Sequence, residues 1–316
     1  MMEPIFLKPV LQDKIWGGEK LQKEFGLEIP TKTTGEAWCI SAHPNGISTV
    51  VSPEHYKGMG LDELYKKYSE LFGLENKDVF PLLIKILDAK EDLSVQVHPN
   101  DTYGLEHEGE LGKTECWYVI SADEGAKIVY GHNAENREQF EDMVSNGEWS
   151  KLLVEVPVKA GDFFDVPAGT IHAIGGGVVI LETQQNSDTT YRVYDYNRKD
   201  DNGNERELHI RQSAEVSTYP GKNPILNIKE TELTSGKITH YLTNEYFSVY
   251  KWETTDKIEL SLDNKYTLAT VIKGEGKLIV DNKEYNLKLA DSFILPSSIK
   301  NIVIEGNIEL ITSKSE

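Results

Sequence analysis

The segment SVQVHPND, Ser94 to Asp101, places Ser94, Gln96 and His98 two residues apart. In an extended strand, residues at that spacing share one face. A glutamine and a histidine on one face can each offer a lone pair to a metal ion. Pro99-Asn100-Asp101 then turns the chain away. In GKTECWY, Gly112 to Tyr118, Glu115 opens an apolar strand. Its carboxylate is either an exposed edge group or an inward oxygen ligand. In GDFFDVPAGTIH, two turns frame a strand and deliver His172 into the next one. Two histidines, a glutamate and a glutamine suit a divalent metal. Zinc takes such nitrogen and oxygen donors and keeps a position open in catalytic sites. Manganese, iron and cobalt accept the same set. His43, in SAHPNG, has no carboxylate in period with it and is expected to be structural.

A second group is cationic. Arg192 lies in LETQQNSDTTYRVYDY among Tyr191, Tyr194 and Tyr196, and its planar fork suits a phosphate. Lys85, Lys90 and Lys113 lie near the candidate ligands in sequence. Taken singly, each lysine is an ordinary solvated position. Together they matter because the formal net charge is −19. Such a surface repels nucleic acid and anionic membranes, and also a phosphorylated substrate unless cations gather locally.

The elements that must position these groups read mainly as β-structure. Short apolar or alternating runs separated by Gly, Asp, Asn and Pro predict strands at Ser94–His98, Glu115–Ile120, Ala126–Tyr130, Val154–Val158, Gly177–Glu182, Ser248–Trp252, Leu268–Ile272 and Gly276–Val280, with a hairpin turn at Asp281–Lys283. That spacing predicts barrels or sandwiches. Helical periodicity is clear over Leu61–Phe72, closed by Gly73, and weaker over Asn136–Val144 and Gly147–Leu152.

The 316 residues suit two domains. YPGKNPILNIK, Tyr219–Lys229, is expected to link a part spanning 1–225 to an all-β part spanning 226–316. KAGDFFDVPAGTIHAI (Lys159–Ile174) aligns with KLADSFILPSSIKNIV (Lys288–Val303), and the alignment sets His172 opposite Asn301. One duplicated β-barrel, metal-binding only in its first copy, accounts for this. Two cysteines are too few for a disulfide framework. No long apolar run and no leader pattern is evident. Cytoplasmic location is therefore expected, with a small-molecule partner and no nucleic acid or membrane.

Taken in order, PLLIK at Pro81–Lys85, QVHPND at Gln96–Asp101, KTE at Lys113–Glu115, the Gly161–His172 pattern and Arg192 resemble the type I mannose-6-phosphate isomerase family in its short bacterial form. Trp16-Gly17-Gly18 and GEAWCISAHPNG extend the resemblance over nearly the whole chain. It implies a cupin fold of two jelly-roll barrels, with a few helices in the N-terminal part. It implies one zinc ion per chain, held by Gln96, His98, Glu115 and His172. Arg192, Lys113 and Glu182 would be catalytic, and Lys85, Ser94 and Arg192 would bind substrate. The implied reaction interconverts mannose 6-phosphate and fructose 6-phosphate through a cis-enediol, in a monomer or weak homo-oligomer. Longer members have His-Lys-Pro-Glu where this chain has Gly112-Lys113-Thr114-Glu115, so the loop there is expected to differ. The competing classes are a metal cupin oxygenase, which the glutamine argues against, and a non-catalytic sugar-binding metal cupin.

Overall fold

Alternation along the strands sets the layers of the N-terminal barrel. The computed structural model describes residues 3–73, 78–200 and 202–316. In the strand Glu115–Ala122, Cys116 and Tyr118 pack outward into one core cluster. Trp117 and Val119 pack into another, inside the barrel. The same division holds in Val178–Gln185, where Val179 and Leu181 face outward and Val178 and Ile180 inward. A period of two therefore carries Glu115 and Glu182 to the inner face as well.

Six antiparallel strands form one wall, in the order Phe163–Val166, Glu115–Ala122, Val178–Gln185, Leu82–Asp88, Thr34–Ile40 and Val10–Gly18. Five form the other: Leu153–Pro157, Lys127–His132, His172–Ile174, Val95–Val97 and Tyr191–Tyr194. Between them lie Trp16, Leu87, Trp117, Ile128, Tyr130, Ile174 and Ile180, which fill part of the interior. The outer face of the five-stranded wall, with Val95, Val97, Ala173, Tyr191 and Val193, is covered by Phe140, Leu152 and Ala214 from three helices, Arg137–Ser145, Trp149–Leu152 and Ile210–Val216.

A ten-stranded sheet carries the C-terminal part. Its interior is apolar, with Leu278, Val280, Phe293, Leu295, Ile302, Ile304 and Leu310 in one cluster. The N-terminal strand Ile5–Lys8 runs between Ser292–Leu295 and Thr49–Ser52, so both ends of the chain share this sheet. The mainly β, two-barrel architecture expected from sequence is present, and no described helix is long and apolar enough to cross a membrane.

The two repeat segments build the same turn. Asp162 Oδ2 accepts the Lys159 N–H at 2.9 Å, and Asp291 Oδ2 accepts the Lys288 N–H at 2.9 Å. Val119 N–H donates to Asp162 O and Val271 N–H to Asp291 O, each at 2.9 Å. Registers agree too: Phe164 opposes Trp117 as Phe293 opposes Ala269.

Three local differences from the sequence expectation have simple causes. The helix predicted over Leu61–Phe72 breaks at Tyr68 (φ −129°, ψ 54°) into Leu61–Lys67 and a 3₁₀ turn Ser69–Phe72, which Gly73 closes at φ 79°. The strand around Gln96 is shorter than expected, Val95–Val97. A helix, Asp101–His107, follows Asn100, whose side chain caps it by accepting the Tyr103 N–H at 3.0 Å. Gly104 in its centre and the exposed Leu105 leave it no apolar stripe to read.

Candidate metal centre

The inner face of the N-terminal barrel is apolar at one end and polar at the other. The polar end begins with Gln96, His98, Glu115 and His172. His172 opposes Gln96 in register, and Arg192 opposes Gln96 from the other side. Outward packing of Val95 and Val97 against the helices leaves Gln96 facing in. The expected shared face of Ser94 and Gln96 is observed, since both line one cavity of about 290 Å³.

Ligand-type atoms of His98, Glu115 and His172 lie within 4.8 Å of one another, and all three residues are buried. His98 Nε2 stands 3.3 Å from Glu115 Oε2, and His172 Nε2 stands 3.4 Å from Glu115 Oε1. Backbone carbonyls fix both tautomers. His98 Nδ1–H donates to Thr189 O at 2.9 Å, and His172 Nδ1–H donates to Thr170 O at 2.8 Å. Each Nε2 therefore turns a lone pair inward. That of His172 has no hydrogen-bond partner among the described residues. A buried acceptor left in that state is costly unless a cation completes it. Burial holds both imidazoles below their ordinary range, His98 to about 3, with the Lys113 ammonium adding to the effect. They are neutral, as metal ligands must be. Burial alone would raise Glu115, but Lys113 and His98 hold it well below the usual carboxylate range. The three donors fit a divalent metal of the zinc type, and Gln96 stands next to His172 in the strand register.

Lys113 enters this group directly. Its Nζ donates to His98 Nε2 at 3.1 Å and lies 3.0 Å from Glu115 Oε2. The Lys113 ammonium and the Glu115 carboxylate thus form a buried ion pair. Gly112 makes this approach feasible. A Cβ there would lie 2.3 Å from Asn100 C and 2.4 Å from Asp101 N, so only glycine lets the GKTE loop pack against the Asn100 turn.

Above the triad stand Glu182, Lys85 and Glu36. Lys85 Nζ is 3.6 Å from Glu182 Oε2, 3.9 Å from Glu36 Oε2 and 4.8 Å over the Trp38 ring. Trp117 Nε1–H is shared between Glu115 Oε1 and Glu182 Oε1, at 3.1 Å each. Burial, reinforced by the Glu115 charge, pushes Glu182 up to about 7.

The opposite wall is cationic. Arg192 lines the cavity, and its buried Nε has no partner among the described residues. Burial, and then the charge of Arg206, lower its pKa. Arg206 is held by a two-pronged pair to Asp195, Nε to Oδ2 and Nη2 to Oδ1, both at 2.7 Å. His209 accepts the Arg192 N–H on Nδ1 at 3.2 Å, which leaves its proton on Nε2.

All the site residues expected from sequence thus gather at one end of one barrel. Lys90 alone, of the cations noted, does not line the cavity. Lys14, Glu36, Asp188, Arg206 and His209 line it without having been singled out. Glu36 carried a signal, since it alternates with the outward Ala37 and Cys39. Arg206 and His209 sit in a charged, irregular stretch with no period to follow. His43 is structural as expected. Its Nδ1 accepts the Asn45 N–H at 3.1 Å, its Nε2 faces Glu110 Oε1 at 3.2 Å, and its ring meets Trp38 edge-on.

The fold and the site together define a two-barrel cupin with a candidate metal centre in its first barrel. The family model described as phosphomannose isomerase type I, catalytic domain, matches residues 5–120. That described as mannose-6-phosphate isomerase, cupin domain, matches residues 237–315. Mannose-6-phosphate isomerase of Streptococcus mutans is 53% identical over 315 residues, covering 100% of this chain and 99% of that protein. The crystal structure of mannose 6-phosphate isomerase from Bacillus subtilis superposes with a TM-score of 0.96 at 46% identity, covering 99% of each chain. A mannose 6-phosphate isomerase bound with zinc and yttrium shares the fold at 16% identity, with a TM-score of 0.81 and full coverage of both chains. The chain belongs to the type I phosphomannose isomerase family.

Proposed function

We propose that this chain interconverts mannose 6-phosphate and fructose 6-phosphate, using one zinc ion held by Gln96, His98, Glu115 and His172. The observation that carries the reading is the buried triad beside a cavity that Gln96 and Lys113 line next to it and that Arg192 and Arg206 also line. A metal to hold oxygens at the reacting carbons and a guanidinium pair for a distant dianion match the two ends of a hexose phosphate. When bound, the metal supplies Lewis-acid stabilisation of negative charge developing on those oxygens.

The protein groups divide the remaining work. Glu182, raised toward neutrality by burial, takes the C2 proton of the open-chain sugar and returns it to C1 through a cis-enediol. Lys113 serves as the charged donor to the sugar oxygens. Glu115 and Glu182 raise its pKa despite burial, so it stays an ammonium and does not compete as the base. Arg192 holds the phosphate with Ser94 beside it, and Lys85 keeps Glu182 in place. Binding energy at the phosphate end then fixes the reacting carbons.

The cysteines are free and buried, which suits a cytoplasmic chain. We place the metal-binding barrel within residues 1–225 and its metal-free companion in 226–316, whose sheet also takes in the strands Ile5–Lys8 and Thr49–Ser52. The test is a coupled assay on purified protein with mannose 6-phosphate, beside elemental analysis. Chelation should abolish turnover and zinc restore it. Full activity in metal-free protein refutes the metal role, and bound zinc without isomerisation would make the chain a sugar-binding module.

A further inference from the structure

Glu110 lies in the loop between the helix Asp101–His107 and the strand that begins at Glu115. In sequence it looks like one more solvated carboxylate of the run EHEGE. In the structure it gathers a second loop. Its Oε2 accepts from Ser187 Oγ at 3.2 Å, from the Asp188 N–H at 3.1 Å and from Thr189 Oγ1 at 3.0 Å. Its Oε1 is anchored from behind by His43 Nε2 at 3.2 Å. The His43 tautomer is not free to change. Nδ1 already accepts the Asn45 N–H, so Nε2 must carry the proton and donate it to Glu110.

What Glu110 holds reaches the centre at two points. Thr189 O is the acceptor that orients His98 through Nδ1. Asp188 lines the cavity, with its side chain tied by Asn45 Nδ2 at 3.0 Å. Three consecutive residues thus take their place from one carboxylate, and one of them sets the ring of a proposed ligand. We propose that Glu110 is a positioning residue for the metal centre, acting through Thr189 on His98; this rests on the metal reading above.

The chemistry demands a carboxylate here. Glutamine can accept the three loop bonds on one oxygen, but its amide then faces the His43 N–H with no acceptor. Either the His43 anchor or the loop contacts must yield. Partners that orient a ligand from behind typically change metal affinity 10- to 100-fold.

The experiment measures the zinc dissociation constant of the full-length protein by chelator competition, alongside the melting temperature of the metal-free form. For Glu110→Gln we expect zinc binding at least about tenfold weaker, with the metal-free melting temperature lowered by no more than the loss of one buried hydrogen bond implies. The double variant Ser187→Ala/Thr189→Val removes two of the three loop bonds and keeps Glu110. It should weaken zinc in the same direction by less, and it carries the test if Glu110→Gln does not fold. Wild-type zinc affinity in either folded variant overturns the proposal, as does a fall in melting temperature with unchanged affinity. A wild type that binds no zinc overturns the metal reading with it. A wild type that binds zinc while either folded variant matches it overturns this proposal alone.

Discussion

Replacing Lys85 by methionine tests whether the buried charges above the triad depend on one another. Lys85 and Glu182 have side chains only 3% and 4% exposed, and Glu36 is 9% exposed. Removing the ammonium leaves two buried carboxylates with one cation fewer between them. At an effective dielectric near 20, a charge pair at 3.6 Å is worth about 4 to 5 kcal/mol before desolvation is counted. Breaking a buried pair from one side typically costs about 3 to 5 kcal/mol, and we expect that loss at pH 8. Part of it must depend on pH. Glu182 already sits near 7 in the folded protein, above its ordinary 4.5. A folded pKa raised above the unfolded one destabilises increasingly as pH rises between the two. Without Lys85 it rises further. At pH 8 the extra penalty from this residue is therefore on the order of 1 kcal/mol, because protonation of the Glu182 carboxyl caps it. At pH 6 Glu182 carries its proton in both proteins and adds nothing. Denaturant unfolding of the metal-free protein at pH 8 and pH 6 reads both numbers. A loss under about 1 kcal/mol at pH 8, or one that grows as pH falls, would refute this coupling.

Three further outcomes are expected. His172→Ala should drop bound zinc to near zero by elemental analysis while far-ultraviolet circular dichroism stays close to wild type. Arg192→Ala should lower kcat/KM for mannose 6-phosphate on the order of 10²-fold with metal content unchanged, since it removes positioning at the phosphate end; a normal rate would take Arg192 out of the site. Asp165, which burial raises to about 6 from 3.8, destabilises the fold progressively as pH rises from 4 to 6. Asp165→Asn should then melt higher than wild type at pH 7.5, by about 1 to 3 kcal/mol of stability, and show no gain below pH 4.

The sequence carried the site further than it carried the scaffold, for physical reasons. Gln96, His98, Glu115 and His172 could be read because each sits on or beside a strand, where a period of two assigns faces. Valines flanking Gln96 and the outward Cys116 mark those faces without any tertiary knowledge. Glu110, Asp188, Arg206 and His209 lie in loops and turns, where no period links position to direction. The role of Glu110 comes from contacts 67 to 79 residues away along the chain, with His43 and Thr189. The helix Asp101–His107 was hidden for a related reason: a glycine at its centre serves close packing, and its cap at Asn100 resembles an ordinary turn.

The turn that the two barrels share shows why the candidate centre occurs once among the described residues. Matching hydrogen bonds set Val119 equivalent to Val271, and the paired registers carry that equivalence along the strands. Glu115 opposes Val166, and Thr267 opposes Leu295, so Thr267 stands where the first barrel has its carboxylate. Asn301, exposed and bonded to Ser261 at 3.2 Å, stands where it has His172. With those ligands absent, nothing favours a polar interior, and Leu278, Phe293, Leu295 and Ile304 close the second barrel. The first barrel forgoes that burial at one end, where the carboxyls of Glu36, Glu115 and Glu182 sit buried among the ammonium groups of Lys85 and Lys113 instead. Buried charge of that density is weak evidence of stability and strong evidence of chemistry. The contrast between two copies of one fold in one chain is what supports placing the proposed chemistry in the groups the first copy keeps and the second has replaced.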